Sequence, residues 1–233
     1  MATKTHILAG DPPIEVALKR NARARRFTLR VAKSGGTVSL SMPVAAPQAE
    51  ALAFLAERAG WVRRHLADAP GIQRPAIGAG FPLLGADRPV VAGAGRRAQF
   101  LDGRIVMPEI GRAGPLMVTL LKAMAREALL ACCDHHAARL GRRFGRVTLR
   151  DTRSRWGSCS TRGDLMFSWR LIMAPPEVLD YVAAHEVAHL AEMNHSPAFW
   201  AACETLCPGY QAPRRWLKAH GAALQAWRFD SLP

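Results

Sequence analysis

The stretch DYVAAHEVAHLAEMNHSPAFW, residues 180–200, holds three of the chain's 8 histidines and a glutamate placed between two of them. On an α-helix, residues four apart share a face at about 6 Å, so His185 and His189 can aim ring nitrogens at one ion. A tetrahedral zinc site accepts imidazole nitrogens at about 2.0–2.1 Å. Glu186 is turned from His185 by about 100° around the helix. That rotation removes it from the ligand pair and leaves it beside the ion, where a general base that takes a proton from water belongs.

A catalytic zinc site usually has three protein ligands and one open position, so two histidines do not complete it. Two residues compete for the third place. His195 follows Asn194, which can adopt the left-handed conformation that ends a helix and so turn the next side chain back toward the ion. Glu192 lies three residues past His189, on about the same helical face. His195 is favoured, because SPAFW starts a new helix on which Phe199 and Trp200 can brace the turn. The neighbours Val182, Ala183, Ala184, Val187, Ala188 and Leu190 are apolar. Burying two imidazoles and a carboxylate among them is costly without an ion or hydrogen-bonding partners. His6, His65, His135, His136 and His220 lack this company and read as hydrogen-bonded core or surface residues.

These residues need elements to hold them. APPEVLDYVAAHEVAHLAEM opens on two prolines, which fit a helix's first turn, and runs without a breaker to Asn194. Ser196 and Pro197 start a further helix to about Cys207, and a last one covers about Arg214 to Gln225. Upstream, PLMVTLLKAMAREALLACCDHHAARLG predicts a long buried helix that stops at Gly141. VTLRD (147–151) and LMFSWRL (165–171) read as strands around the loop TRSRWGSCSTRGD. The first part of the chain has a different texture. IEVALKR, RFTLRVA and TVSLSMP alternate like strands, with SGG at 34–36 as a hairpin turn, and residues 47–67 switch to helical spacing through Leu52, Leu55, Ala59 and Val62. Short apolar pieces from Pro70 to Gly114 suit small strands joined by turns. The expectation is an α+β chain: a β-rich N-terminal domain with one helix over residues 1–113, and a second domain over 114–233.

Composition narrows the partners. With 233 residues and 49% hydrophobic content, the chain can bury a substantial core. The start lacks the apolar region of a signal peptide, and no window approaches the roughly 18 uncharged apolar residues that span a bilayer. A cytoplasmic location without membrane contact is expected. The 5 cysteines form no CxxC pair, which argues against a disulfide framework or a thiolate zinc ribbon. The net charge of +14 invites an anionic partner, nucleotide or DNA. Its densest run, KRNARARR at 19–26, could hold phosphates, but it comes with no helix-turn-helix, zinc finger or RNA-binding aromatics, and so reads first as a solvated strand face.

The run WGSCSTRGDLMFSWRLIMAPPEVLDYVAAHEVAHLAEMNHSPAFW resembles the YgjP-like, or SprT-like, zinc metallopeptidases, where a WGSCS loop precedes two strands, a Pro-started HExxH helix and an NHS turn. AGWVRRHL and FPLLG are similar to that family too, so the likeness spans nearly the whole chain. The resemblance implies a zincin-like catalytic half with a backing helix, a small antiparallel sheet, the HExxH helix and C-terminal helices. It also implies zinc on His185, His189 and His195, with Glu186 as acid/base. HEVAH departs from the family, where many relatives carry Leu and Cys at the two middle positions; all these choices are apolar and leave the ligands untouched.

The expected reaction is hydrolysis of a peptide or protein substrate by activated water, Glu186 taking the proton and passing it to the leaving amine. By resemblance, an edge strand beside the cleft pairs with the substrate, and LMFSWRL, with Phe167 and Trp169, is the expected strand. Arg153, Arg155 and Trp156 of the preceding loop are further candidates for substrate contact, with packing of the loop as the alternative. Two other readings stand beside this one: a nucleotide triphosphate phosphohydrolase that uses Arg150, Arg153, Arg155, Arg162 and Arg170 on phosphates, and a peptidase recruited to DNA. The absence of an acidic cluster for a second ion favours carbonyl chemistry.

Overall fold

A computed structural model describes residues 4–32, 36–68, 70–109 and 113–230. It confirms an α+β chain, made of two compact units, Met1–Ile72 and Gln73–Pro233.

The first unit carries four strands, β1 (Lys4–Leu8), β2 (Ile14–Arg20), β3 (Thr28–Val31) and β4 (Val38–Met42), in the order β1-β2-β4-β3. β2 and β4 run parallel and the other neighbours antiparallel. Period-two alternation is the cause of the sheet's one-sided core: Ile14, Val16 and Leu18, and Val38, Leu40 and Met42, are buried while the residues between them are more exposed. The expected hairpin joins β3 to β4, but Ser34 and Gly35 of its SGG turn lie outside the described residues. The expected single helix is two, α1 (Gln48–Glu57) and α2 (Ala59–Ala67), broken at Arg58. Ala51, Leu55 and Val62 close the core.

The second unit begins with β5 (Gly80–Leu83), β6 (Ala86–Gly93), β7 (Gln99–Leu101) and β8 (Arg104–Pro108), ordered β5-β6-β8-β7. Phe81, Leu83, Val90, Ile105 and Met107 of this sheet share one core with the long helix α3 (Ala113–Leu140). The units therefore meet at 72/73 and not at the expected 113/114. Turn-rich texture suggested a continuation of the N-terminal part, but the apolar faces of these strands have α3 to cover them.

Met117, Leu121, Ala125, Leu129, Cys133 and Ala137 form the buried stripe of α3. The helix stops as expected: Gly141 takes φ +66°, and the Gly141 and Arg142 N–H groups donate to Ala138 and Ala137 carbonyls, a Schellman stop. Beyond it, β9 (Val147–Arg150), β10 (Gly157–Cys159) and β11 (Leu165–Ser168) form a sheet in the order β10-β11-β9. The expected sheet was antiparallel; here β11 runs antiparallel to β10 but parallel to β9.

LMFSWRL is extended only as far as Ser168. Residues Trp169–Met173 wind into a 3₁₀ turn, where the guanidinium of Arg170, 4% exposed, donates to both Asp151 oxygens (2.6 and 3.1 Å) and to the Leu224 and Trp227 carbonyls. The remaining helices are α4 (Pro176–Ala188), α5 (Pro197–Leu206) and α6 (Gln211–Ala226). No helix among the described residues is long and apolar enough to cross a membrane, and all five cysteines are free thiols.

Candidate active site

α4 starts as its prolines dictate, with Pro176 at the first turn, but ends at Ala188, six residues before Asn194. Leu190 and Ala191 N–H groups donate to the Val187 and Ala188 carbonyls, three residues back, which tightens the last turn and releases the chain. His185 thus stands in the final helical turn and His189 caps it. The return to His195 does not use a left-handed Asn194: among the described non-glycine residues, only Leu84 and Asp102 have positive φ. Instead, the Asn194 side-chain oxygen accepts the Ser196 N–H (3.1 Å) and the Ser196 hydroxyl accepts the Phe199 N–H (3.3 Å). An Asx turn runs directly into the N-cap of α5.

The three imidazoles come together. Their ring centroids are 5.1, 5.1 and 4.9 Å apart, and one ligand nitrogen from each lies within 4.8 Å of the others. Nε2 of His185 is 3.1 Å from Nε2 of His195. Phe199, fully buried, packs at 4.4–4.9 Å from all three rings, and Trp200 stacks on His195. Trp200 is held in turn by Tyr210, stacked at 5.2 Å, and by the Arg214 guanidinium at 4.5 Å. Glu192 is not in the cluster; its backbone carbonyl faces Nδ1 of His189 at 2.9 Å. That bond fixes the proton on Nδ1 and leaves Nε2 of His189 as a free lone pair.

These residues fit a divalent metal ion. Burial, and then the neighbouring His189 and His195, lower the pKa of His185 to about 3, and burial lowers His189 as well. Both rings are therefore neutral at physiological pH, the form in which an imidazole can offer a lone pair to an ion. Two nitrogens at about 2.0–2.1 Å from a tetrahedral ion stand about 3.3 Å apart, close to the separation of His185 and His195. Nδ1 of His185 is buried and has no hydrogen-bond partner among the described residues, so the ring gains nothing from that side either.

Glu186, the next residue along α4 after His185, is 5% exposed. Burial pushes its pKa up to about 8, against the opposing charge of Arg155. Its carboxyl lies on the backbone of β10: a Cβ built at Gly157 would stand 2.4 Å from Oε1 of Glu186. Gly157 is a site residue that the sequence reading passed over, and its signal was a glycine inside a strand, the mark of close approach.

The proposed substrate contacts divide. Arg153 and Arg155 are exposed beside this strand. Trp156 packs against Gly221 of α6, and its carbonyl accepts the Ser168 N–H, so it braces the loop. Phe167 and Trp169 are 0% and 1% exposed and belong to the core; they are out of reach of a substrate. LMFSWRL is likewise displaced from its expected role, because β11 is the central strand and β10 is the edge strand next to Glu186. Of the arginines put forward for phosphates, Arg170 is buried and committed to Asp151.

No curated protein matches the chain. Among solved structures, the metallopeptidase zymogen of Pyrococcus abyssi abylysin is similar at 23% identity and a TM-score of 0.36, over 39% of this chain and 92% of that one. A family model described as YgjP-like, metallopeptidase domain, matches residues 25–220. With well over half of its length matched, the chain belongs to the YgjP-like metallopeptidase family.

Proposed function

We propose that this metallopeptidase uses zinc held by His185, His189 and His195, and Glu186 as its acid/base. The observation that carries the reading is the convergence of three imidazole nitrogens within 4.8 Å, with a buried carboxyl one residue away from the first of them. Bound zinc supplies Lewis acidity toward water and carbonyl oxygen.

The protein's own groups do the rest. Glu186 accepts a proton from the attacking water; as the water oxygen bonds to the carbonyl carbon and the C–N bond breaks, the same carboxyl returns that proton to the amine nitrogen. A cation beside the carboxyl would favour its ionised form, the form that can accept this proton. Gly157 leaves room for that carboxyl against β10, whose edge position suits it to pair with an extended peptide. Phe199 and Trp200 keep the His195 ring in register with the α4 pair.

The test is metal analysis joined to peptide hydrolysis. The wild-type protein should contain about one zinc per chain and cleave an unfolded protein substrate. Glu186→Gln should keep the zinc and lower kcat by about 10²–10⁴-fold. Turnover retained by Glu186→Gln would remove the base, and a protein without bound metal would remove the ligand assignment.

A further inference from the structure

The face of the β9-β10-β11 sheet turned away from the core is a groove of about 580 Å³. Ser158, Met166 and Thr148 are in register across its three strands. Arg146 and Arg150 come from β9 and its approach, and Arg153 and Arg155 from the loop that leads into β10. Among the described residues the ion pairs are His136–Asp180 and Arg170–Asp151, so none of these four guanidinium groups has a carboxylate partner. The one carboxylate of the lining, Asp164, accepts the backbone N–H of Arg146.

Four cations in one concavity, none of them in an ion pair among the described residues, strengthen the field there and attract an anion. The groove also runs up to β10, the edge strand beside Glu186. Side chains of an extended chain alternate between faces, so a peptide paired along β10 presents every second side chain on the Ser158 side.

We propose that this groove is a specificity subsite of the peptidase, which binds Asp and Glu side chains at alternate positions of an extended peptide substrate. The proposal rests on the peptidase reading for the placement of the peptide, and on the four arginines for its charge. Bidentate guanidinium contacts suit carboxylates. A nucleic-acid strand is the weaker match: among the described residues no aromatic ring lines the groove, and bases bound without sequence preference stack on such rings.

Two labelled peptides of equal length, one with Glu and one with Gln at alternate positions, separate the possibilities. Binding is measured by fluorescence anisotropy on the zinc-loaded Glu186→Gln protein, and kcat/KM on the wild type. The Glu peptide should be favoured about tenfold in both, as two or three exposed charge pairs allow, and less so as salt rises. The double variant Arg146→Gln/Arg150→Gln should bring the ratio close to one, and Arg153→Gln should lower it by a smaller factor.

Equal treatment of the two peptides by the wild type, or a preference that survives all these variants, overturns the subsite. An oligothymidylate of the same charge that binds more tightly than the Glu peptide, with the same dependence on Arg146 and Arg150, overturns it in favour of nucleic acid. Cleavage without acid preference breaks only this inference. Arginine-dependent binding of the Glu peptide without any cleavage keeps the groove and breaks the peptidase reading.

Discussion

His136 on α3 is buried and His185 on α4 half-buried, and each has a buried Nδ1 without a hydrogen-bond partner among the described residues. What faces the other nitrogen differs. Nε2 of His136 meets the carboxylate of Asp180 at 2.7 Å, joining the two helices. Nε2 of His185 meets a second imidazole, with a third ring close by. A carboxylate satisfies the nitrogen that faces it and ties the histidine into the structure. Converging imidazoles leave lone pairs that only a cation or a proton satisfies. Partner chemistry, more than burial, therefore separates a structural histidine from a ligand.

Exchanging the two histidines for alanine should break the comparison most sharply. His185→Ala should lose bound metal and all turnover above background, whereas His136→Ala should keep metal at the wild-type stoichiometry. Metal analysis of both variants decides it; loss of metal from His136→Ala alone would reverse the assignment.

A smaller effect is expected at Gly157, where the ligands are untouched. Gly157→Ala places a methyl group where the Glu186 carboxyl now lies, so the carboxyl must move by an ångström or more. Misplacement of that size costs up to about 10²-fold in rate. The variant should therefore bind metal normally while kcat falls by about 10–100-fold, a pattern that loss of a ligand cannot produce.

Much of this site was legible in the sequence because it is local. A period of 3.6 residues brings His185 and His189 together whatever the rest of the chain does, and Ser196–Pro197 announces the helix that carries Phe199. The misreadings come from interactions that periodicity does not encode. The end of α4 was set by a tightened last turn, and the bend at Asn194 by its side chain in place of its φ. LMFSWRL alternates like any strand, and nothing in it tells a central strand from an edge. Its central place comes from pairing with β9, residues 147–150. Phe167 and Trp169, expected to contact substrate from an edge strand, fill the core because that strand is central. The strands between 80 and 108 looked like part of the first domain, and the partner that claims them, α3, lies further along the chain.

The structural half of the comparison can be sharpened by stability. His136→Ala takes from the part-exposed Asp180 its nearest cationic partner and opens a cavity in the α3–α4 contact. A loss of about 2 kcal/mol is expected, seen as a melting temperature lower by about 4–8 °C for a chain of this size.

That difference should shrink in acid. Burial pushes the Asp180 pKa up, but the His136 hydrogen bond and charge outweigh it, and the folded value lies below the ordinary 3.8. A carboxylate whose pKa is depressed by folding stabilises the protein above its unfolded value and stops doing so as pH falls through its folded value. In wild type the Asp180 contribution is therefore complete at neutral pH and begins to fade below about pH 4, near the unfolded carboxylate value. In His136→Ala the main group that depresses the pKa is absent, and only the weaker Cys132 hydrogen bond and His135 charge remain, so most of this contribution is missing at every pH. Titration of the other carboxylates is common to both proteins and cancels in the difference. Melting curves of the two proteins at pH 7 and pH 3 should thus converge at the lower pH; a gap that stays constant would place the worth of His136 in packing and not in its bond to Asp180.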